Sequence, residues 1–224
     1  MNFMHHNINA KHDTSRRVFS LTLTLIAVFF STISYAKSVL ILGDSISAGY
    51  GINPHAGWVA LLEQKLLSVS DDNEVNVINA SVSGNTSSDG LARLPKLIEA
   101  HTPDIIVVEL GGNDGLRGHP LKVMESNLNS IIALGKNAGS EVILAGIEIP
   151  PNYGQRYTDE FKKVFVRVAE KNDVPFIPFI LEGIALEPEL MQDDGIHPTE
   201  DAQPLLLENI WPSLKEILIP NLSE

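Results

Sequence analysis

A three-layer α/β/α sandwich around a central, mainly parallel five-stranded sheet is the fold this sequence predicts, on three observations. Strand-length apolar runs alternate with stripes of helical period, and one of those runs is apolar without alternation. Removing an export-type leader, residues 1–36, from the 224 residues leaves 188 for folding. A continuous apolar run suits a strand covered on both faces. Repeated βα order with right-handed crossovers distributes helices over both sides of a parallel sheet. The remaining length is that of one domain with ample core.

The leader comes first. Lys11, Arg16 and Arg17 precede an apolar stretch from Val18 to Phe30, and Ser34-Tyr35-Ala36 then offers small residues where a signal peptidase reads. Ser20, Thr22 and Thr24 interrupt the stretch, which falls short of the roughly 20 apolar residues of a spanning helix. Cleavage after Ala36 is therefore expected rather than a retained anchor, giving a signal peptide at 1–36, one domain at 37–224, a periplasmic location and no stable membrane insertion.

The strands expected are Ser38–Leu42, Glu74–Asn79, Asp104–Leu110, Glu141–Ile147 and roughly Pro175–Phe179, mostly rich in Val, Ile or Leu. Between them Trp58, Leu61, Leu62 and Leu66 recur at helical spacing, as do Leu121, Met124, Leu128, Ile131 and Ile132, and then Phe161, Val164, Phe165 and Val168. Each series makes one apolar stripe on an otherwise polar helix. Thr158 before Asp159 and Glu160 reads as the start of the last one, a capping hydroxyl followed by acidic groups where N–H groups lack partners. Pro150-Pro151-Asn152-Tyr153-Gly154 is the most irregular connection, of the kind that borders binding sites. No repeat, low-complexity segment or Gly/Ser linker divides the chain.

Charge and composition exclude several function classes. The whole chain carries a formal charge of −12. Lys11, Arg16 and Arg17 against Asp13 in the leader leave 13 basic and 27 acidic residues beyond it, a balance that argues against nucleic acid or an anionic membrane as standing partner. There is no cysteine, so stability comes from the core without disulfides and a thiol nucleophile is impossible.

Gly43-Asp44-Ser45-Ile46-Ser47 follows the first strand directly. Ser45 is thereby placed at the carboxyl end of a strand, where parallel sheets bind ligands. It could attack a carbonyl, or it could simply cap a helix. The pattern is not the G-x-S-x-G elbow, because Ser47 stands where the last glycine belongs. No phosphate-loop motif occurs.

An activated serine needs an imidazole, and beyond the leader there are only His55, His101, His119 and His197. His197 lies in Gln192-Asp193-Asp194-Gly195-Ile196-His197-Pro198, where Gly195 and Pro198 hold a turn. Asp194, three residues earlier, can accept the Nδ1–H and fix the tautomer that leaves Nε2 free. Asp193 is its rival, and a metal site using Asp193, Asp194 and His197 is an alternative reading. The other three histidines lack such a partner and are expected to be exposed. Ser83-Gly84-Asn85-Thr86 and Gly111-Gly112-Asn113-Asp114 follow the second and third strands, so the Gly84 backbone and the Asn113 amide could donate to an oxyanion, although each could also be an ordinary turn.

Leu42-Gly43-Asp44-Ser45, Gly84, Gly111-Gly112-Asn113-Asp114 and Asp194-Gly195-Ile196-His197-Pro198 resemble, in order, the four blocks of the SGNH (GDSL) hydrolases. The likeness covers nearly all of residues 37–224. It implies a flavodoxin-like sheet and a serine esterase or thioesterase acting on acyl chains, lysophospholipids among them, without cofactor or metal. Ser45 would be the nucleophile, His197 the base and Asp194 its orienter, with the oxyanion held by the Ser45 and Gly84 N–H groups and by Asn113. The partner implied is a small acyl ester or thioester, and the chain is expected to act as a monomer. The resemblance also implies a flexible loop from Asp114 to about Pro120, a movement that Gly115 and Gly118 would permit, while Asp44, although part of the first block, reads as structural, bonding neighbouring backbone. Ile46 replaces the usual leucine of the first block, and Asn85 stands where relatives often have aspartate. A carbohydrate O-acetylesterase and a non-catalytic binding protein on the same fold are the competing readings.

Overall fold

The computed structural model describes residue 1, residues 37–69 and residues 75–218. The leader expected at 1–36 lies, Met1 apart, outside the described residues, as do Glu74 and the last six residues. Five strands are present: β1 (Ser38–Gly43), β2 (Asn76–Asn79), β3 (Ile105–Glu109), β4 (Glu141–Ala145) and β5 (Phe176–Ile177). All pair in parallel, in the order β2-β1-β3-β4-β5. Seven α-helices accompany them among the described residues: α1 (Ser45–Ala48), α2 (Trp58–Val69), α3 (Ser87–His101), α4 (Gly112–Leu116), α5 (Leu121–Asn137), α6 (Gln155–Asn172) and α7 (Gln203–Leu218). Helices α3, α5 and α6 pack side by side in one layer, and α2 packs with α7 in another. The expected three-layer sandwich is thus the fold observed.

The strands follow from their burial. Every residue of β1 and β3 is buried, which is why their sequences show no alternation. β2, at the sheet edge, is only partly covered. The expected fourth and fifth strands are longer than those observed. The two segments remain bonded just beyond the ladder, the Gly146 N–H donating to Ile177 O at 2.8 Å and its carbonyl accepting the Ile180 N–H at 2.9 Å, and only glycine fits there because a Cβ would lie 2.4 Å from Pro178 O.

Trp58, Leu62 and Leu66, then Met124, Leu128, Ile131 and Ile132, then Phe161, Val164, Phe165 and Val168 are all buried, as their spacing predicts. Two elements that the periodicity left unmarked, α3 and α7, are also helices. Each holds an internal proline, Pro95 and Pro212, a residue that costs about 3 kcal/mol relative to alanine in a helix interior. Thr86 and Asp89 offset this in α3 with a reciprocal capping box. In α7 the burial of Leu206, Ile210 and Leu214 does so, at roughly 1.5–3 kcal/mol for each large apolar side chain. Thr158 does not cap α6. The helix begins three residues earlier, after Gly154, and the Thr158 hydroxyl donates to the Gln155 carbonyl at 3.0 Å.

The connection from β1 leads to β2 on one side of the sheet and that from β3 leads to β4 on the other, so the order switches between β1 and β3. The crevice at their carboxyl ends is where parallel α/β sheets bind ligands.

Candidate active site

Ser45 opens α1, the single turn that leaves β1, and Asp44 caps it by accepting the Ile46 N–H at 3.1 Å. Gly43 pairs with Glu109 across the β1–β3 ladder. That register brings the start of α4, with Asn113, beside Ser45. His197 arrives from the far end of the chain, in the turn before α7. Its Nε2 stands 2.8 Å from Ser45 Oγ, and its Nδ1 stands 2.7 Å from Asp194 Oδ2. Asp194 Oδ1 accepts the N–H groups of Ile196 and His197 at 2.9 and 3.0 Å. Both oxygens of Asp194 are therefore spent on shaping the turn and orienting the imidazole. Asp193, the rival, is exposed and makes no side-chain hydrogen bond among the described residues. His55, His101 and His119 are exposed, as expected.

The candidate oxyanion donors converge too. Gly84 has φ +81, and among the described residues neither its N–H nor that of Ser45 donates to a protein acceptor. Asn113 is differently placed: its Nδ2 donates to Asp44 Oδ2 at 3.0 Å and to Asn85 O at 3.1 Å. It sits on the short helix α4 rather than in an open turn. Asp44 has the structural role expected, extended by this hold on the Asn113 amide. Asn85 turns its side chain away to accept from Arg93 Nε at 2.8 Å. Arg93 also donates to Ala80 O and Gly43 O, tying together the ends of β1 and β2.

The Gly115 hinge is not what the structure shows. Gly115 is buried in α4, and a Cβ there would lie 2.6 Å from Phe161 Cε2 and 2.8 Å from Ile149 Cγ2. Glycine is required for close packing at that point. Gly118, with φ +65 and open space around it, begins the freer part of the segment.

A further residue of the site, Glu109, has as its only local signal that it is the one acidic residue in the run Ile105–Leu110. It is fully buried at the end of β3, where Oε2 accepts the Ser47 hydroxyl at 2.7 Å and the Asp44 N–H at 3.3 Å. Burial, reinforced by nearby Asp44, pushes its carboxyl well above the usual range. Burial likewise pushes Asp44 up to about 6, against the opposing pull of the Ile46 N–H, the Asn113 amide and His197. For Asp194 partial burial also disfavours the charge, but the His197 N–H, its ring and the Ile196 N–H prevail and hold it down to about 2.

These directions predict the pH dependence of stability. Asp44 binds its proton more tightly folded than unfolded, so its contribution favours the fold below about 4 and is lost as pH rises through about 6. Asp194 acts oppositely: its contribution is present above its ordinary range and is lost as pH falls through about 2. Melting temperatures of the wild type and Asp44→Asn, compared from pH 4 to 7, should show that the variant lacks a downward component present in the wild type. Identical slopes would refute the Asp44 assignment.

A cavity of about 620 Å³ opens beside Ser45 and His197, lined largely by apolar side chains including Ile46, Leu116, Ile147, Ile149, Phe179 and Leu181. The irregular Pro150–Gly154 connection contributes Pro150 and Pro151 to it, as its position suggested.

Residues 41–203 match the GDSL-like lipase/acylhydrolase family. The chain is 45% identical over 202 residues to an esterase, TesA, of Pseudomonas aeruginosa, covering 90% of this chain and all of the relative. It is 47% identical over 173 residues to the thioesterase 1/protease 1/lysophospholipase L1 of Escherichia coli, covering 77% and 81% of the two chains. The crystal structure of the psychrotrophic esterase EstA from Pseudoalteromonas sp., inhibited by monoethylphosphonate, superposes with a TM-score of 0.76 at 40% identity, covering 81% and 98%.

Proposed function

This chain belongs to the GDSL-like lipase/acylhydrolase family, and from that premise we propose that Ser45, His197 and Asp194 are the catalytic triad with which it hydrolyses esters and thioesters. The observation that carries this reading is the unbroken hydrogen-bond chain from Ser45 Oγ through the His197 ring to Asp194, at the mouth of an apolar cavity. His197 Nε2 takes the Ser45 proton as Oγ attacks the acyl carbon. The oxyanion is met by the Ser45 and Gly84 N–H groups, and by Asn113 as its amide shifts from Asn85 O or Asp44. When the carbon–oxygen or carbon–sulfur bond breaks, the imidazolium returns the proton to the leaving alcohol or thiol. Water then attacks the acyl-enzyme by the same route and releases the acid.

The cavity is of a size that holds a drug-sized ligand and far exceeds what an acetyl group needs, which favours medium or long acyl chains over sugar acetates. Glu182 and Glu187 line it without a lysine or arginine among the described lining residues. That charge, and the removal of an exported enzyme from the cytoplasm, favour fatty esters and lysophospholipids over acyl-CoA. Residues 1–36 serve as a cleaved signal peptide, and the enzyme works in the periplasm as a monomer.

The test combines labelling and turnover. An organophosphonate should label Ser45 alone with parallel loss of activity, and a panel of p-nitrophenyl esters from acetyl to palmitoyl, run beside lysophospholipid and acyl-CoA, should peak beyond the shortest chains. Labelling elsewhere, or a preference for acetyl, would overturn the reading. Asn113→Ala should lower kcat by roughly 10²–10³, the usual effect of removing one oxyanion donor. Asn85→Asp should change it little, because Arg93 still finds an acceptor and the Asn85 carbonyl is untouched. Comparable losses at the two positions would displace Asn113 from that role.

A further inference from the structure

Asp194 can orient the His197 ring, but it belongs to the same turn and cannot place that turn against Ser45, 152 residues away. Placement must come from bonds that leave the turn, and Gln192 makes one. Within the turn the Gln192 N–H donates to His197 O at 2.8 Å, and its carbonyl accepts the Gly195 N–H at 2.9 Å. Its side-chain Nε2 uses both hydrogens, one on Pro198 O at 2.9 Å and one on Tyr50 O at 2.8 Å. Tyr50 directly follows the Ser45 helix turn, and its N–H donates to Ser45 O at 3.0 Å. The Tyr50 ring lies 4.5 Å from the His197 ring, tilted by 40°. Gly51, with φ +77, leaves a slot for the Gln192 amide, since a Cβ there would lie 2.3 Å from Oε1. A second, outer tie joins Asn53 N–H to Glu200 at 2.7 Å.

We propose that Gln192 is a positioning residue: by strapping the histidine turn to Tyr50 it sets the separation of His197 Nε2 from Ser45 Oγ. The inference rests on the proposed triad. Proton transfer needs hydrogen-bond reach, about 2.6–3.2 Å, and a displacement of about 1 Å can cost on the order of 10² in rate. The strap touches no substrate, so its loss acts on the chemical step rather than on binding.

The experiment is a double-mutant cycle of Gln192→Ala and Gly51→Ala, read by kcat, KM and the rate and final extent of organophosphonate labelling. Gln192→Ala should lower kcat and the labelling rate together by roughly 10–10², with KM changed less than threefold and labelling still complete at the end. The acidic limb of the kcat profile should keep its midpoint, because the Asp194–His197 pair stays within the turn. Gly51→Ala should also slow the enzyme, but less in the Gln192→Ala background, where the slot is empty. Should Gln192→Ala fail to fold, Gln192→Glu removes both donors at nearly the same size, with the same loss expected. A kcat within twofold of wild type, a loss explained by incomplete labelling, a shifted acidic limb, or independent effects of the two substitutions would overturn the proposal. Absence of Ser45 labelling in the wild type would instead defeat the triad reading beneath it.

Discussion

Ser45→Ala should lower kcat on the order of 10⁶-fold, the loss expected when the nucleophile of a cooperating triad is removed, while leaving the melting temperature nearly unchanged. The hydroxyl has one protein partner among the described residues, His197 Nε2. Alanine is an excellent helix former at the opening of α1, and the cap that shapes the turn comes from the neighbouring Asp44 side chain. Nothing structural is thus removed with the oxygen. Ser47 is the informative control, because its hydroxyl is buried and committed to Glu109. Ser47→Ala should leave organophosphonate labelling at Ser45 while lowering stability, by leaving Glu109 short of a partner. Retained turnover in Ser45→Ala, or labelling that moves to Ser47 or Ser83 in the wild type, would sink the assignment.

The second large effect is expected at Asp194, where asparagine should cost roughly 10⁴ in kcat, as when a triad aspartate is so changed. The geometry gives the reason. Oδ1 accepts the N–H groups of Ile196 and His197, so an asparagine keeps its carbonyl oxygen there and turns its NH₂ toward His197 Nδ1. That nitrogen must then accept, which moves the ring proton to Nε2. An Nε2–H donates to Ser45 Oγ and cannot receive its proton. Asp193→Asn should cost less than tenfold, since the exposed Asp193 side chain reaches neither the ring nor the turn amides. Both variants should be assayed on one short-chain ester, with circular dichroism to confirm folding. A large loss at Asp193 with near-normal turnover at Asp194 would exchange their roles, and equal moderate losses would point to a shared or metal-binding function.

Both results depend on features with different sequence ranges. The Asp194–His197 pair was legible because its partners are three residues apart in a turn that Gly195 and Pro198 fix locally. The helical stripes of α2, α5 and α6 were legible because burial of one face repeats every three to four residues. Helices α3 and α7 were not, because internal prolines obscure the local signal and the stabilising burial comes from distant strands and helices. Thr158 misled for a related reason: a hydroxyl before two acidic residues is a good cap in isolation, yet the chain had already entered the helix at Gln155.

Gly115 and Glu109 show the same division from the side of packing. A glycine between two others reads as freedom, but Phe161 and Ile149 occupy the space a Cβ would need. Glu109 lies within an expected strand with no local mark of a role, and only the β1–β3 register brings it under the turn that holds Ser45, where it accepts from Asp44 and Ser47.

The sequence by itself determined the parallel α/β class and the four turns with their chemical groups, since turn residues and apolar periods act over a few residues. The tertiary structure alone decided that His197 Nε2 stands 2.8 Å from Ser45 Oγ and that Gln192 reaches Tyr50. It also decided that Asn113 spends its amide on Asp44 and Asn85. Those contacts join residues from 28 to 152 positions apart, and their distances are set by how the whole sheet and its two helix layers pack, which no local pattern encodes.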